Sequence, residues 1–177
     1  MDIGGIMTRA TIWLALAGYA LWFVTSLLAR RSPGLRKTAR ASFTAGCLFF
    51  LAHVFCAFNF HYDWSHTTAF QRTAEQVGRT TGTESGWGIF VSYAFTLLWV
   101  IDVIWWWRAG LDSYERRPGW ITAIWNLFFI FLIFNGTVIF ETGYPRWIGL
   151  ALCSLLVGFW IYSKTTRHPL KQHSSAS

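Results

Sequence analysis

Charge is scarce in this chain. Only 13% of its 177 residues are Asp, Glu, Lys or Arg, about half the roughly 25% of a soluble domain. Cysteine is scarce too: Cys47, Cys56 and Cys153 all lie inside apolar runs, which excludes a disulfide-stapled secreted module. No P-loop, G-x-G-x-x-G, H-E-x-x-H, C-x-x-C or G-x-S-x-G occurs, so the common catalytic and phosphate-cradling patterns are missing. Every lysine falls outside the apolar runs, which excludes an intramembrane Ser/Lys protease, and a paired-aspartate protease has one candidate, Asp102.

What abounds is apolar and aromatic surface. Hydrophobic residues make up 54% of the chain, with 16 Phe and 12 Trp raising the aromatic share to 19%. A disordered chain is poor in aromatics, and one small water-soluble core does not hide this much apolar area. The composition therefore predicts an all-α, polytopic membrane protein.

A membrane-crossing helix needs roughly 20 apolar residues, and five runs approach that length: 12–28, 41–60, 89–107, 120–140 and 147–163. They lack the alternation of barrel strands, and lipid cannot satisfy an open backbone, so helices are expected. Together they predict one helix-bundle domain over 1–163, followed by a basic, disordered tail over 164–177. The first run ends in Ala29, Arg30 and Arg31, unlike a cleaved signal peptide. It is expected to stay as an anchor, and either Met1 or Met7 serves as a start.

Basic residues set the expected orientation. Arg30, Arg31, Arg36, Lys37, Arg40, Arg108, Arg116, Arg117, Lys164, Arg167 and Lys171 fall on one side of a five-span layout; Arg9, Arg72, Arg79 and Arg146 fall on the other. Basic loops stay cytoplasmic, which puts the N-terminus outside and the tail inside. Dropping the last span would carry the basic tail outside, so five spans fit better than four. The net charge of +7 then reflects topology and attraction to anionic headgroups at the cytoplasmic face. No base-stacking aromatic interrupts 30–40, so nucleic acid is not an expected partner. Most tryptophans sit near span ends, as an interfacial belt requires. Gly149 with Cys153, and Ser154 with Gly158, are small residues four apart that suit close helix packing.

Ionisable groups in hydrocarbon are costly, so each is a candidate for function. At about 1.5 Å per residue, Asp102 and Asn126 share an inner layer, and His53 and Asn135 an outer one. Asp102 reads either as a proton carrier or as an interhelical hydrogen-bond partner of Asn126, Thr122, Thr25, Ser26 or Thr44. His53 reads as a ligand for haem, a quinone or protons, or as a buried histidine bonded to Asn135. A bis-His haem would need a second copy of His53 from a dimer.

The 61–88 connection is the one long extramembrane piece. His66, Phe70, Thr73 and Val77 recur at helical spacing with Ala69 and Ala74 beside them, predicting a short interfacial helix ended by Gly78. His61, Asp63 and His66, with Glu141, offer imidazole and carboxylate ligands for a transition metal. The same side chains read as solvated or hydrogen-bonded interfacial groups.

The stretches Ala52-His53-Val54-Phe55-Cys56-Ala57-Phe58, Trp64-Ser65-His66, Asp102 with Trp105 to Trp107, and Phe134-Asn135-Gly136-Thr137-Val138-Ile139-Phe140-Glu141 with Arg146-Trp147 resemble an uncharacterised family of small bacterial multi-pass proteins. The resemblance covers most of the chain and implies a bacterial inner-membrane setting, with no activity or cofactor attached. Three functions are expected in order. The first is a non-catalytic accessory subunit presenting its outer loop to a membrane-protein partner or to a second copy of itself. The second is a metal- or haem-dependent redox or hydrolytic protein using His53, His61, Asp63, His66 and Glu141. The third is a proton-coupled carrier centred on Asp102 and Asn126.

Overall fold

A computed structural model describes residues 2–28, 33–139 and 143–165. Among these residues every regular element is helical: α1 (Ile3–Leu28), α2 (Pro33–His61), α3 (His66–Thr81), α4 (Gly88–Glu115), α5 (Gly119–Phe134) with a π-helical turn (Asn135–Ile139), and α6 (Tyr144–Thr165). Five of the helices, all but α3, are long and apolar enough to cross a membrane. The tail over 166–177 and Glu141 lie outside the described residues.

The helices outrun the apolar runs, and the reason is local. α1 begins at Ile3, well before residue 12, where Asp2 Oδ1 accepts from the Gly5 N–H at 3.1 Å, and Thr8 and Thr11 within it return their hydroxyls to the carbonyls of Gly4 and Met7 at 2.8 Å. A threonine so bonded adds no unsatisfied donor to a helix. α2 and α4 similarly carry Arg36, Lys37, Asp112 and Glu115 within their helical ends.

The chain divides into two compact units, 1–121 and 122–177. In the first, α1 and α2 approach closely at Gly18 and Gly46: a Cβ added at Gly18 would lie 2.7 Å from the Gly46 Cα and 3.0 Å from the Ser42 carbonyl oxygen. Backbone meets backbone there. Around this contact sit buried Tyr19, Trp22, Phe43 and Trp99, with ring centroids 4.9 Å apart for Trp22 and Phe43 and 5.6 Å for Phe43 and Trp99. Tilted and edge-on pairs of this kind satisfy the ring quadrupoles while burying large area.

In the second unit, α6 packs on the π-helical turn, where a Cβ at Gly149 would fall on the Thr137 side chain. Gly149 and Cys153 are buried, as the small-residue spacing predicts, whereas Ser154 and Gly158 are exposed. The turn draws Asn135 Nδ2 onto the Phe131 carbonyl at 2.7 Å and Thr137 Oγ1 onto that of Ile133 at 2.6 Å. Such side chains help occupy carbonyls in a locally widened helix.

α3 is a helix, as its stripe predicts, but it does not end at Gly78. The Ser65 side chain accepts from the Thr68 N–H to cap its start, and Gly82, at φ 78°, turns its own N–H onto the Gly78 carbonyl to end it. Gly82 supplies the left-handed conformation that closes a helix.

Candidate functional site

Among the described polar and charged residues, aromatics aside, Asp102 is the most buried, at 3% exposure for the whole residue. Its helix, α4, is interrupted at Gly110, where φ 79° and ψ 173° are accessible almost only to glycine. Beyond that break the chain turns back as a hook. Tyr114 then stacks on Trp106 with ring centroids 4.1 Å apart and planes 7° from parallel. Its hydroxyl donates to Asp102 Oδ2 at 2.6 Å. Arg117 Nη1 donates to Asp102 Oδ1 and Oδ2 at 3.1 and 3.2 Å, and the same guanidinium lies 4.1 Å over the Tyr114 ring. Only 4% of the Asp102 side chain and 4% of the Arg117 side chain is exposed.

On the outside, Arg36 of α2 grips the hook by an ion pair with Asp112 and another with Glu115 at 2.8 Å. The hook is therefore held from two directions. Asp102 is an internal tie, held from its own chain by Tyr114 and Arg117. Thr25 and Ser26 return their hydroxyls to their own helix, while Thr44 accepts from Trp107 Nε1 at 3.0 Å. Asn126 is buried in α5.

A second polar group gathers at the opposite end of α1 and α2. His53 Nδ1 lies 2.9 Å from the Thr8 carbonyl oxygen, which can only accept, so Nδ1 carries the proton. His61 Nε2 lies 3.3 Å from Thr8 Oγ1. The Thr8 hydroxyl hydrogen is already given to Gly4, so His61 donates. Each residue of the expected outer layer thus has a partner within its own unit: His53 on Thr8, Asn135 on Phe131.

The histidine-bearing connection is tied by separate contacts. His66 Nδ1 is 3.0 Å from the Tyr93 hydroxyl and its ring packs on Phe90 at 5.4 Å. Asp63 is exposed in a tight turn where it and Trp64 both adopt positive φ, 47° and 55°. Trp64 packs edge-on against Phe55 at 5.3 Å. Burial pushes the Tyr62 phenol up, against the opposing charge of Arg72. Among the described residues no group of three His, Cys, Asp or Glu side chains is arranged to hold a metal ion. His61, Asp63 and His66 are placed one by one, not as a ligand set.

Sequence reasoning missed Tyr114, Arg117 and the Gly18–Gly46 contact. Ser42 and Gly46 do carry the small-residue spacing of four that signals close helix approach. Nothing comparable flagged the hook, because Tyr114 and Arg117 follow the apolar run that defined the span.

No protein-family profile matches this chain, and neither a curated protein nor a solved structure is detectably similar to it.

Proposed function

We propose that this is a non-catalytic accessory protein of a bacterial inner membrane, which offers the outward-facing helix α3 to a protein partner. The observation that carries the reading is the construction of α3. Capped at both ends, it rests one face on α4: Phe70 packs on Phe90 at 6.3 Å, and a Cβ at Gly86 would strike the Phe70 ring at 2.5 Å. Its other face exposes Thr67, Gln71, Arg72, Glu75, Gln76 and Arg79. A helix held this firmly with a polar, mixed-charge face loses little conformational freedom on binding.

Orientation follows from the excess of basic residues on the opposite connections. The exposed indoles of Trp64 and Trp87 at either end of α3's segment suit the headgroup zone, which would lay this helix along the outer surface. Photo-crosslinkers at Gln71, Glu75 and Gln76 should yield one discrete adduct in native membranes and recover a stoichiometric partner. Loss of every adduct at saturating illumination, with no partner on affinity purification, would overturn the proposal.

A second reading rests on His53. With Nδ1–H spent on a backbone carbonyl, the lone pair lies on Nε2, the arrangement by which proteins orient a metal-binding or haem-binding imidazole. Metal analysis and an absorption spectrum of protein purified from iron- and zinc-supplemented cells test it; a colourless, metal-free sample rejects it. The carrier reading requires Asp102 to release Tyr114 and Arg117 in every cycle.

A further inference from the structure

We propose that the end of α2 and α4 bearing Lys37, Arg40 and Arg108 binds the phosphate of an anionic glycerophospholipid, whose acyl chains lie along α4. The inference is independent of the role given to α3 and needs only that these helices cross a membrane.

Charge balance comes first. The described carboxylates at this end of the first unit are Asp102, Asp112 and Glu115, and Arg117 and Arg36 hold all three. Among the described residues no carboxylate lies within ion-pair distance of Lys37, Arg40 or Arg108. Lys37 and Arg108 are exposed and Arg40 half-buried.

One of them is pre-organised. The Arg40 guanidinium carbon lies over the Trp107 indole, 4.0 Å from its centroid. That indole is fixed by its own N–H bond to Thr44 Oγ1 at 3.0 Å, and the Thr44 hydroxyl is fixed by donating to the Arg40 carbonyl at 2.8 Å. A guanidinium held over an indole face keeps N–H donors able to form a bidentate fork to a phosphate. Lys37 stands three residues before Arg40 and seven before Thr44, on the same stripe of α2.

The apolar surface beside these cations decides for a lipid. Arg108 continues a stripe of α4 through Ile104, Ile101 and Leu97, spaced four, seven and eleven residues before it, and these three side chains are 47%, 51% and 61% exposed. Cationic head and apolar track run on one helix face. Trp107, 54% exposed, marks the headgroup level between them. A free anion has no use for the track, and an acidic protein segment would bury it against unlike chemistry.

Native mass spectrometry of the full chain in mild detergent, titrated with phosphatidylglycerol or phosphatidylcholine, tests this. The wild type should retain phosphatidylglycerol selectively. Arg40→Gln should weaken that retention about fivefold, and Lys37→Gln/Arg40→Gln/Arg108→Gln about a hundredfold, at the increment each basic residue supplies near an anionic surface; phosphatidylcholine retention should not move. Lys37→Gln and Arg108→Gln, single changes at exposed positions, keep the question answerable if the triple variant misfolds, each with an expected loss of about fivefold. Equal retention of the two lipids, or unchanged selectivity in the variants, overturns the proposal. So does inorganic phosphate or polyglutamate, each added alone, binding as tightly as the lipid.

Discussion

Removing the Arg117 guanidinium should strongly destabilise the first unit. Asp102 and Arg117 are both almost sealed from solvent, at 4% exposure each, so Arg117→Gln takes the opposite charge away from a buried carboxylate. Breaking a buried pair from one side costs about 3–5 kcal/mol. Asp102→Asn should cost a similar amount by taking the carboxylate away from a buried guanidinium. The double variant, with both charges gone, should recover a large part, giving a coupling of about 2–3 kcal/mol. Tyr114→Phe removes one hydrogen bond to a charged group, worth about 1.5–3 kcal/mol, while keeping the ring on Trp106. Equilibrium unfolding in mixed micelles, followed by the emission of Trp106 and its neighbours, reads all four variants. Two single changes that each cost under about 1 kcal/mol and simply add would refute the reasoning, because the pair would then be solvated and the hook held by something else.

Three further outcomes are expected. Gly110→Ala should cost about 1–3 kcal/mol from backbone strain alone, since a Cβ there meets nothing within 4 Å; unfolding at wild-type denaturant strength would show that the break needs no glycine. Gly18→Ala should part α1 from α2, costing about 1–3 kcal/mol by overpacking, and lowering the yield of a disulfide engineered across the two helices; unchanged crosslinking would mean the contact relaxes freely. Ser65→Ala should lose about 1 kcal/mol of α3 stability, visible as faster amide exchange confined to 66–81, and uniform protection there would deny the cap its role.

The Asp102 tie shows what depth along a helix leaves out. Counting residues placed Asp102 level with Thr44, yet the Thr44 hydroxyl serves Trp107, and Asp102 takes bonds from residues 12 and 15 places further along its own chain. His53 followed the same pattern, because its partner Thr8 lies in a turn of α1 that the apolar run excluded. The histidines of the connection were legible as polar groups near a membrane surface, but their spacing says nothing of the rings that surround them. His66 is claimed by Tyr93 and Phe90 and His61 by Thr8.

Composition and run length were enough for the helical class and the five candidate spans, because hydrocarbon accepts little else than about 20 apolar residues wound into a helix. The stripe of α3 was readable for the same kind of reason, a period of 3.6 in a polar segment. Helix ends, the hook beyond Gly110 and every polar pairing were decided by tertiary contacts. A buried donor or acceptor takes whichever partner the folded chain brings within about 3 Å, and that distance is absent from any one-dimensional pattern.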